Sequence, residues 1–428
     1  MSAAAKRSSR RGSRGISRCS YRICSTRSSR WAGLSSGTTE TDWKRSCDSM
    51  MNYSFFRRNA EKVRAELRKR GIDVMILTHQ QKYSYVSGNF HNDFNLGNCI
   101  FVWADQEPTL LVAIAEWRRL KYEGYIKDIR FWKSPYSGME PVSFLEVANQ
   151  ILHEHDCEQA TIAVELPSIP YRLYHDLETE FPRATIVDGE KMINDIMMIK
   201  DEEELEITRR VCAMGDAAQQ KIIEYARVGI TEAELMGHCE QEMRRLGATW
   251  YYTPNQCNFG ARIGGGDHLP SGKILRRNDV FYTDFHPVWH EYRTDTFRTW
   301  CFGEPSREFR KMTDTIEGII PELNAKLVPG ASTKEIEHWY HDRLAQAGYP
   351  DNGSVPLGHG IGTGHLPPYF MDDEDVTLKP NTLISVNSHI YDLNEDFAFT
   401  LEYIVCVKER KLELLTKFPL GLVCIPIK

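Results

Sequence analysis

Three carboxylates stand inside apolar runs in the second half of the chain, and an ionised carboxylate taken out of water is costly unless something neutralises it. Asp284 lies within Val280-Phe281-Tyr282-Thr283-Asp284-Phe285, and Asp295 follows eleven residues later in Arg293-Thr294-Asp295-Thr296-Phe297-Arg298-Thr299. Glu402 interrupts Phe399-Thr400-Leu401-Glu402-Tyr403-Ile404-Val405. Two strands joined by a short hairpin would bring Asp284 and Asp295 together, where like charges require a metal ion or a shared proton. A histidine flanked by glycines, Gly358-His359-Gly360-Ile361-Gly362, adds an imidazole at a place where backbone can approach closely. Taken singly, each has an ordinary explanation: an ion pair with Arg293 or Arg298 for a carboxylate, a satisfied turn for the histidine.

The remainder of the chain is that of a soluble globular protein, with 41% hydrophobic and 26% charged residues over a length sufficient for two domains. A formal net charge of -6 gives no reason to expect nucleic acid or an anionic membrane as partner, which leaves a small molecule or short peptide as ligand. No apolar stretch is long enough to cross a bilayer. The 11 cysteines show no CxxC pair and read as reduced thiols. Residues 1–50 are rich in Ser and Arg with no acidic residue before Glu40, so they cannot form a core. We read them as a disordered tail or as sequence preceding a start at Met50 or Met51; a mitochondrial transit peptide is the alternative to a cytoplasmic location.

Residues 51–198 alternate strand and helix signals. A helix over Ser54–Arg70 and strands over Ile72–Thr78, Cys99–Ala104, Thr109–Ala113 and Ala160–Glu165 predict an α/β domain, with further helices over Glu116–Tyr125 and Pro141–His153. Residues 199–428 open with helices over Ile199–Ala226 and from a capping box at Thr231 and Glu234 to Gly247, and add two more over Arg307–Leu327 and Thr333–Gly348. Strands over Val280–His286, Thr294–Phe302, Leu383–Ile390 and Phe399–Val407 complete an α+β chain. His338 and His341, three apart on a helix, read as solvated, His153-Glu154-His155 as a polar helix end, and Gly264-Gly265-Gly266 as a flexible turn near the site.

Order and spacing of the four polar residues change their meaning. Asp284, Asp295, the GHGIG around His359 and the late Glu402 resemble the metal-binding pattern of the creatinase/aminopeptidase P superfamily, from about Met51 onward. Lys200 with its acidic run, Pro329-Gly330 and Leu415-Thr416 fit the same likeness. The resemblance implies a creatinase-like N-terminal α/β domain and a C-terminal pita-bread domain, a curved antiparallel sheet covered by helices. It implies two divalent ions sharing a hydroxide, with Asp284 on one ion, Asp295 and Glu402 bridging, and His359 on the other. Mn, Zn, Co and Fe all suit such ligands. His268 and His365 correspond to histidines that contact substrate and intermediate, and a homodimer is implied.

One position breaks the pattern. Where the family places a further glutamate, this chain has Asn387, in Ile384-Ser385-Val386-Asn387-Ser388-His389. An amide cannot accept the proton of an attacking water. It also weakens the hold on a second ion, because two divalent ions and a hydroxide against three carboxylates leave no negative charge. His389, His286 or His290 could compensate. His365 comes one residue closer to His359 than in the family, and Pro367-Pro368 replace a common acidic residue. The expected function is a metal-dependent Xaa-Pro aminopeptidase or prolidase. Alternatives are a creatinase-like C–N hydrolase that needs no metal and uses His268 as base, resembled by Thr416-Lys417-Phe418-Pro419, a sulfoniopropionate-cleaving lyase, and a non-catalytic binding module.

Overall fold

Short β-branched runs flanked by amphipathic helices build the first half as a mixed sheet covered on both faces. The computed structural model describes residues 54–89, 97–122, 124–260, 268–350, 356–392 and 397–427; the basic segment 1–50 and Gly264-Gly265-Gly266 lie outside them. In chain order the first half runs α1 (Ser54–Arg70), β1 (Val74–Leu77), α2 (Gln80–Ser87), β2 (Cys99–Trp103), β3 (Thr109–Ala113), α3 (Ile114–Tyr122), β4 (Asp128–Trp132), α4 (Phe144–Glu154), β5 (Thr161–Val164), α5 (Tyr171–Glu180), β6 (Thr185–Asp188) and α6 (Glu190–Met198). Strand order is β4-β3-β2-β1-β5-β6, with β1 antiparallel to β2 and parallel to β5.

Alternation along β1 sends Val74 and Ile76 to one face, against Ile151 of α4 and Leu173 and Leu177 of α5. Met75 and Leu77 meet Val63 and Leu67 of α1 and Ile193 and Met197 of α6. A strand buried on both faces reads as an unbroken apolar run, as Val74–Leu77 does. Helix α4 starts at Phe144 rather than at the expected Pro141, because Ser143 and Glu146 form a reciprocal capping box.

The second half begins with α7 (Glu202–Tyr225), capped by Asp201 and Glu204; its expected start at Ile199 fails because Ile199 is drawn into a bridge with Thr382. Helix α8 (Glu232–Arg245) is capped by Thr231, whose Oγ accepts from Glu234 N, while the Glu234 carboxylate pairs with Arg227 instead of closing the box. Then follow β7 (Trp250–Tyr251), β8 (Gln256–Phe259), β9 (Val280–Phe285), β10 (Pro287–Trp289), β11 (Tyr292–Arg293) and β12 (Thr296–Phe302). Helices α9 (Arg307–Lys326) and α10 (Thr333–Gln346) precede β13 (Gly358–Ile361), β14 (His365–Tyr369), β15 (Leu383–Asp392), β16 (Phe397–Val407), β17 (Leu412–Leu414) and β18 (Val423–Ile425).

Two sheets, β18-β12-β9-β8 and β14-β13-β15-β16-β17, meet along β12 and β16. There Thr299 Oγ1 donates to Thr400 O at 2.8 Å and accepts from Thr400 N at 3.1 Å. Helices cover the convex side of both: Met214 of α7 and Leu235 of α8 pack with Phe281, Phe285 and Trp300, and Ile316 and Leu323 of α9 with Val386, Leu401 and Tyr403. Arg298, fully buried, serves this seam by donating to the carbonyls of Glu402, Phe418 and Pro419, and not to a carboxylate.

The two halves interlock near the concave face. Lys62 of α1 reaches Asp201 and Glu204 at 2.8 Å each, and Leu366 of β14 belongs to the core of the first half. Gln81 of α2 donates to Tyr252 Oη at 2.6 Å, while its carbonyl accepts from Thr363 Oγ1 at 2.8 Å.

Candidate active site

Strand period two, having sent apolar residues to the helices, turns Asp284 of β9, Phe297 of β12, Asn387 of β15 and Thr400 and Glu402 of β16 to the concave side, where they line a cavity of about 710 Å³. His268, Asp295, His359 and His365 line the same cavity, so Asp284, Asp295, His359, Glu402, Asn387, His268 and His365 come together at one place.

Asp284 and Asp295 approach each other through a third residue. His286 Nε2 lies 3.0 Å from Asp284 Oδ2 and 3.1 Å from Asp295 Oδ1. Burial acts to lower the pKa of His286, but the two carboxylates outweigh it and raise it to about 10. His286 Nδ1 is buried with no hydrogen-bond partner among the described residues. Of the three histidines that could compensate for Asn387, only His286 reaches the cavity wall: His290 lies against the Trp289 ring at 4.0 Å, and His389 is buried beside Tyr391 at 5.1 Å.

Asp295 has a second set of partners. Its Oδ2 accepts from Arg293 Nη2 at 2.6 Å and from His365 Nε2 at 2.9 Å. Burial opposes ionisation of Asp295, yet His286 and Arg293 hold its carboxyl well below the usual range. Arg293 is fully buried with its guanidinium 3.9 Å from the Tyr252 ring centre, and its Nε and Nη1 have no acceptor among the described residues. The ordinary ion pair and the reactive cluster thus coexist on one aspartate. Because a carboxylate oxygen only accepts, His365 Nε2 carries the hydrogen and Nδ1 keeps its lone pair. Burial pushes the His365 pKa down to about 4.

His359 is held by close backbone packing. A Cβ on Gly358 would stand 2.5 Å from Ser385 O, and one on Gly360 2.2 Å from Pro367 O, so both neighbouring strands require glycine there. His359 Nδ1 donates to Gly360 O at 2.9 Å, which leaves Nε2 as a lone pair 3.5 Å from Glu402 Oε1. Glu402 accepts from Ser385 Oγ at 2.8 Å, and burial together with Asp295 and Asp284 holds its carboxyl well above the ordinary range. Asn387 is paired with Glu402 across β15 and β16, and its Oδ1 is buried with no hydrogen-bond partner among the described residues.

These donors fit a divalent ion. Two sets, Asp284-His286-Asp295 and Asp295-His359-His365, each have ligand atoms within 4.8 Å of one another. Like-charged carboxylates are buried side by side, and the His359 tautomer directs its lone pair inward. Other histidines have local partners: His338 pairs with Asp372, His341 with Glu337 at 2.9 Å, and His153 with Glu158 at 2.8 Å. His155 stacks on Trp103 at 3.8 Å. Nothing in the sequence singles out Gln81 or Tyr252, and Arg293 reads there only as an ordinary partner of a carboxylate. Its position two residues before Asp295, on the same face of an extended segment, was the available signal.

The sequence profile of metallopeptidase family M24 matches residues 206–409, and that of the creatinase/prolidase N-terminal domain matches residues 60–199. An uncharacterised peptidase of Staphylococcus saprophyticus is 22% identical over 77% of this chain and 91% of its own length. Among solved structures, an X-Pro aminopeptidase from Thermotoga maritima superposes with a TM-score of 0.75 at 22% identity, covering 86% of this chain and 99% of that one. A prolidase from Thermococcus sibiricus gives a TM-score of 0.76 at 18% identity over 88% of this chain and 100% of that one. These likenesses establish the two-part fold with its curved C-terminal sheet.

Proposed function

We propose that this chain, which belongs to metallopeptidase family M24 and carries a creatinase/prolidase type of N-terminal domain, hydrolyses a short peptide at an Xaa-Pro bond with a divalent metal ion. The observation that carries the reading is the convergence of Asp284, Asp295, Glu402 and four imidazoles on one cavity of a size suited to a small ligand. Asp284 and Asp295 would hold the metal, with His359 and Glu402 facing the same cavity, and the ion when bound polarises a carbonyl and acidifies water.

The side chains supply the rest. Asn387 cannot take a proton, so Glu402 is the carboxylate left to accept one from the attacking water. His365, kept neutral by burial and oriented by Asp295, offers Nδ1 as acceptor to a substrate N–H. His268 contributes a second imidazole to the cavity wall, and Phe297, Tyr369 and Leu269 give an apolar surface for a proline ring. Manganese as the working ion, a homodimer and a cytoplasmic location complete the reading. The cysteines among the described residues are all free, in keeping with a reducing compartment, and no described helix is long and apolar enough to cross a membrane.

The test is a panel of Gly-Pro, Ala-Pro and Gly-Pro-Ala beside Gly-Ala and creatine, followed by mass spectrometry with Mn²⁺ present. Cleavage confined to the proline peptides, and reduced roughly a thousandfold by Asp295→Ala, is the expected result. A second reading, metal-independent C–N hydrolysis with His268 as base, draws support from Asn387 and from the imidazole seated between Asp284 and Asp295. Turnover of creatine without turnover of any proline peptide would select it.

A further inference from the structure

Resting on the metal-dependent reading above, we infer that the chain binds a single divalent ion, on Asp284, His286 and Asp295, and that the Arg293 guanidinium stands where a second ion's charge would be needed. Asp284 Oδ2, His286 Nε2 and Asp295 Oδ1 surround one point, within 4.8 Å of one another, and all three residues are under 10% exposed. His286 is thereby a ligand supplied from the link between β9 and β10, two residues after Asp284.

The opposite side of Asp295 is poorly provided. Asp295 Oδ2 already receives N–H groups from Arg293 at 2.6 Å and His365 at 2.9 Å, occupying the lone pairs an ion would need. An ion on Asp295, His359 and His365 would sit against a guanidinium that is fully buried and therefore unscreened by water. Asn387, paired with Glu402, contributes a neutral amide where a carboxylate would help. With one ion, Asp284 and Asp295 match its two charges. A second ion would add two positive charges beside the Arg293 guanidinium, with Glu402 the single further carboxylate among the cavity-lining residues.

The experiment counts metal. Protein stripped with EDTA is reloaded with excess Co²⁺, desalted and assayed by elemental mass spectrometry, with circular dichroism to verify folding. One Co²⁺ per chain is expected. His286→Ala should weaken binding at least about tenfold, while His359→Ala should keep the ion. The double variant Asn387→Glu with Arg293→Met should gain a second, a result that misfolding cannot mimic. Two ions in the parent protein, retention in His286→Ala with loss in His359→Ala, or no gain in the double variant would each overturn the inference. Two ions together with Xaa-Pro hydrolysis would overturn it alone, whereas no bound ion would overturn the metal-dependent reading as well.

Discussion

Burial sets the charge of several side chains around the cavity, and Glu291 shows its cost. This residue is 8% exposed in the turn between β10 and β11, and burial raises its pKa from 4.5 to about 7. Between those values the folded chain holds a proton that the unfolded chain has released, so the contribution to stability is greatest at low pH and is lost as pH rises through 7. Glu291→Gln removes the ionisable group. It should therefore stabilise the protein by up to about 3 kcal/mol at pH 8 and change little at pH 5. Calorimetric melting at both pH values checks this, and an equal increment at both would contradict it. Residues of the site were legible where they were anomalous, as with Asp284, Asp295 and Glu402 in apolar strands. Arg293 and Gln81 were harder to read, because an arginine near an aspartate and a glutamine on a helix have many ordinary uses.

Elements with a strong period or cap were equally legible: α1, α8 and α10, and the strands β9, β12, β15 and β16 all lie where their sequences indicate. The hairpin of β10 and β11 was not, because its two-residue turn is His290-Glu291, both with positive φ of 50° and 63°, at positions that usually carry Asn and Gly. Without the turn residues, Pro287–Arg293 gives no hairpin signal. The β13–β14 pair was legible only as a glycine-rich motif, and its structural reason is the approach of Pro367 O to Gly360. Gly360→Ala should pry those strands apart, costing about 3 kcal/mol and displacing His359. Urea denaturation measures the cost, and a variant of parental stability would show that β14 can shift freely.

At the scale of the whole molecule, the first half is a structural part of the site and not an appendage. Its α2 holds Tyr252 and Thr363 through Gln81, and its core takes up Leu366 next to His365. This joint could not be read from the sequence, since its partners are far apart in the chain and none belongs to a motif. Lys62 is its main ionic contact, and Glu204 is fully buried. Lys62→Met, which leaves that carboxylate without its cation, should cost about 3 kcal/mol by denaturant unfolding and keep one cooperative transition. Two separate transitions, or no loss, would mean that the halves are held together elsewhere. The central claim, that a divalent ion held by Asp284, Asp295 and their neighbours drives cleavage of Xaa-Pro bonds, is tested most directly by assaying Gly-Pro hydrolysis before chelation, after chelation and after readdition of Mn²⁺. The account predicts activity abolished by the chelator and restored by the ion; activity that persists undiminished in metal-free protein would contradict it.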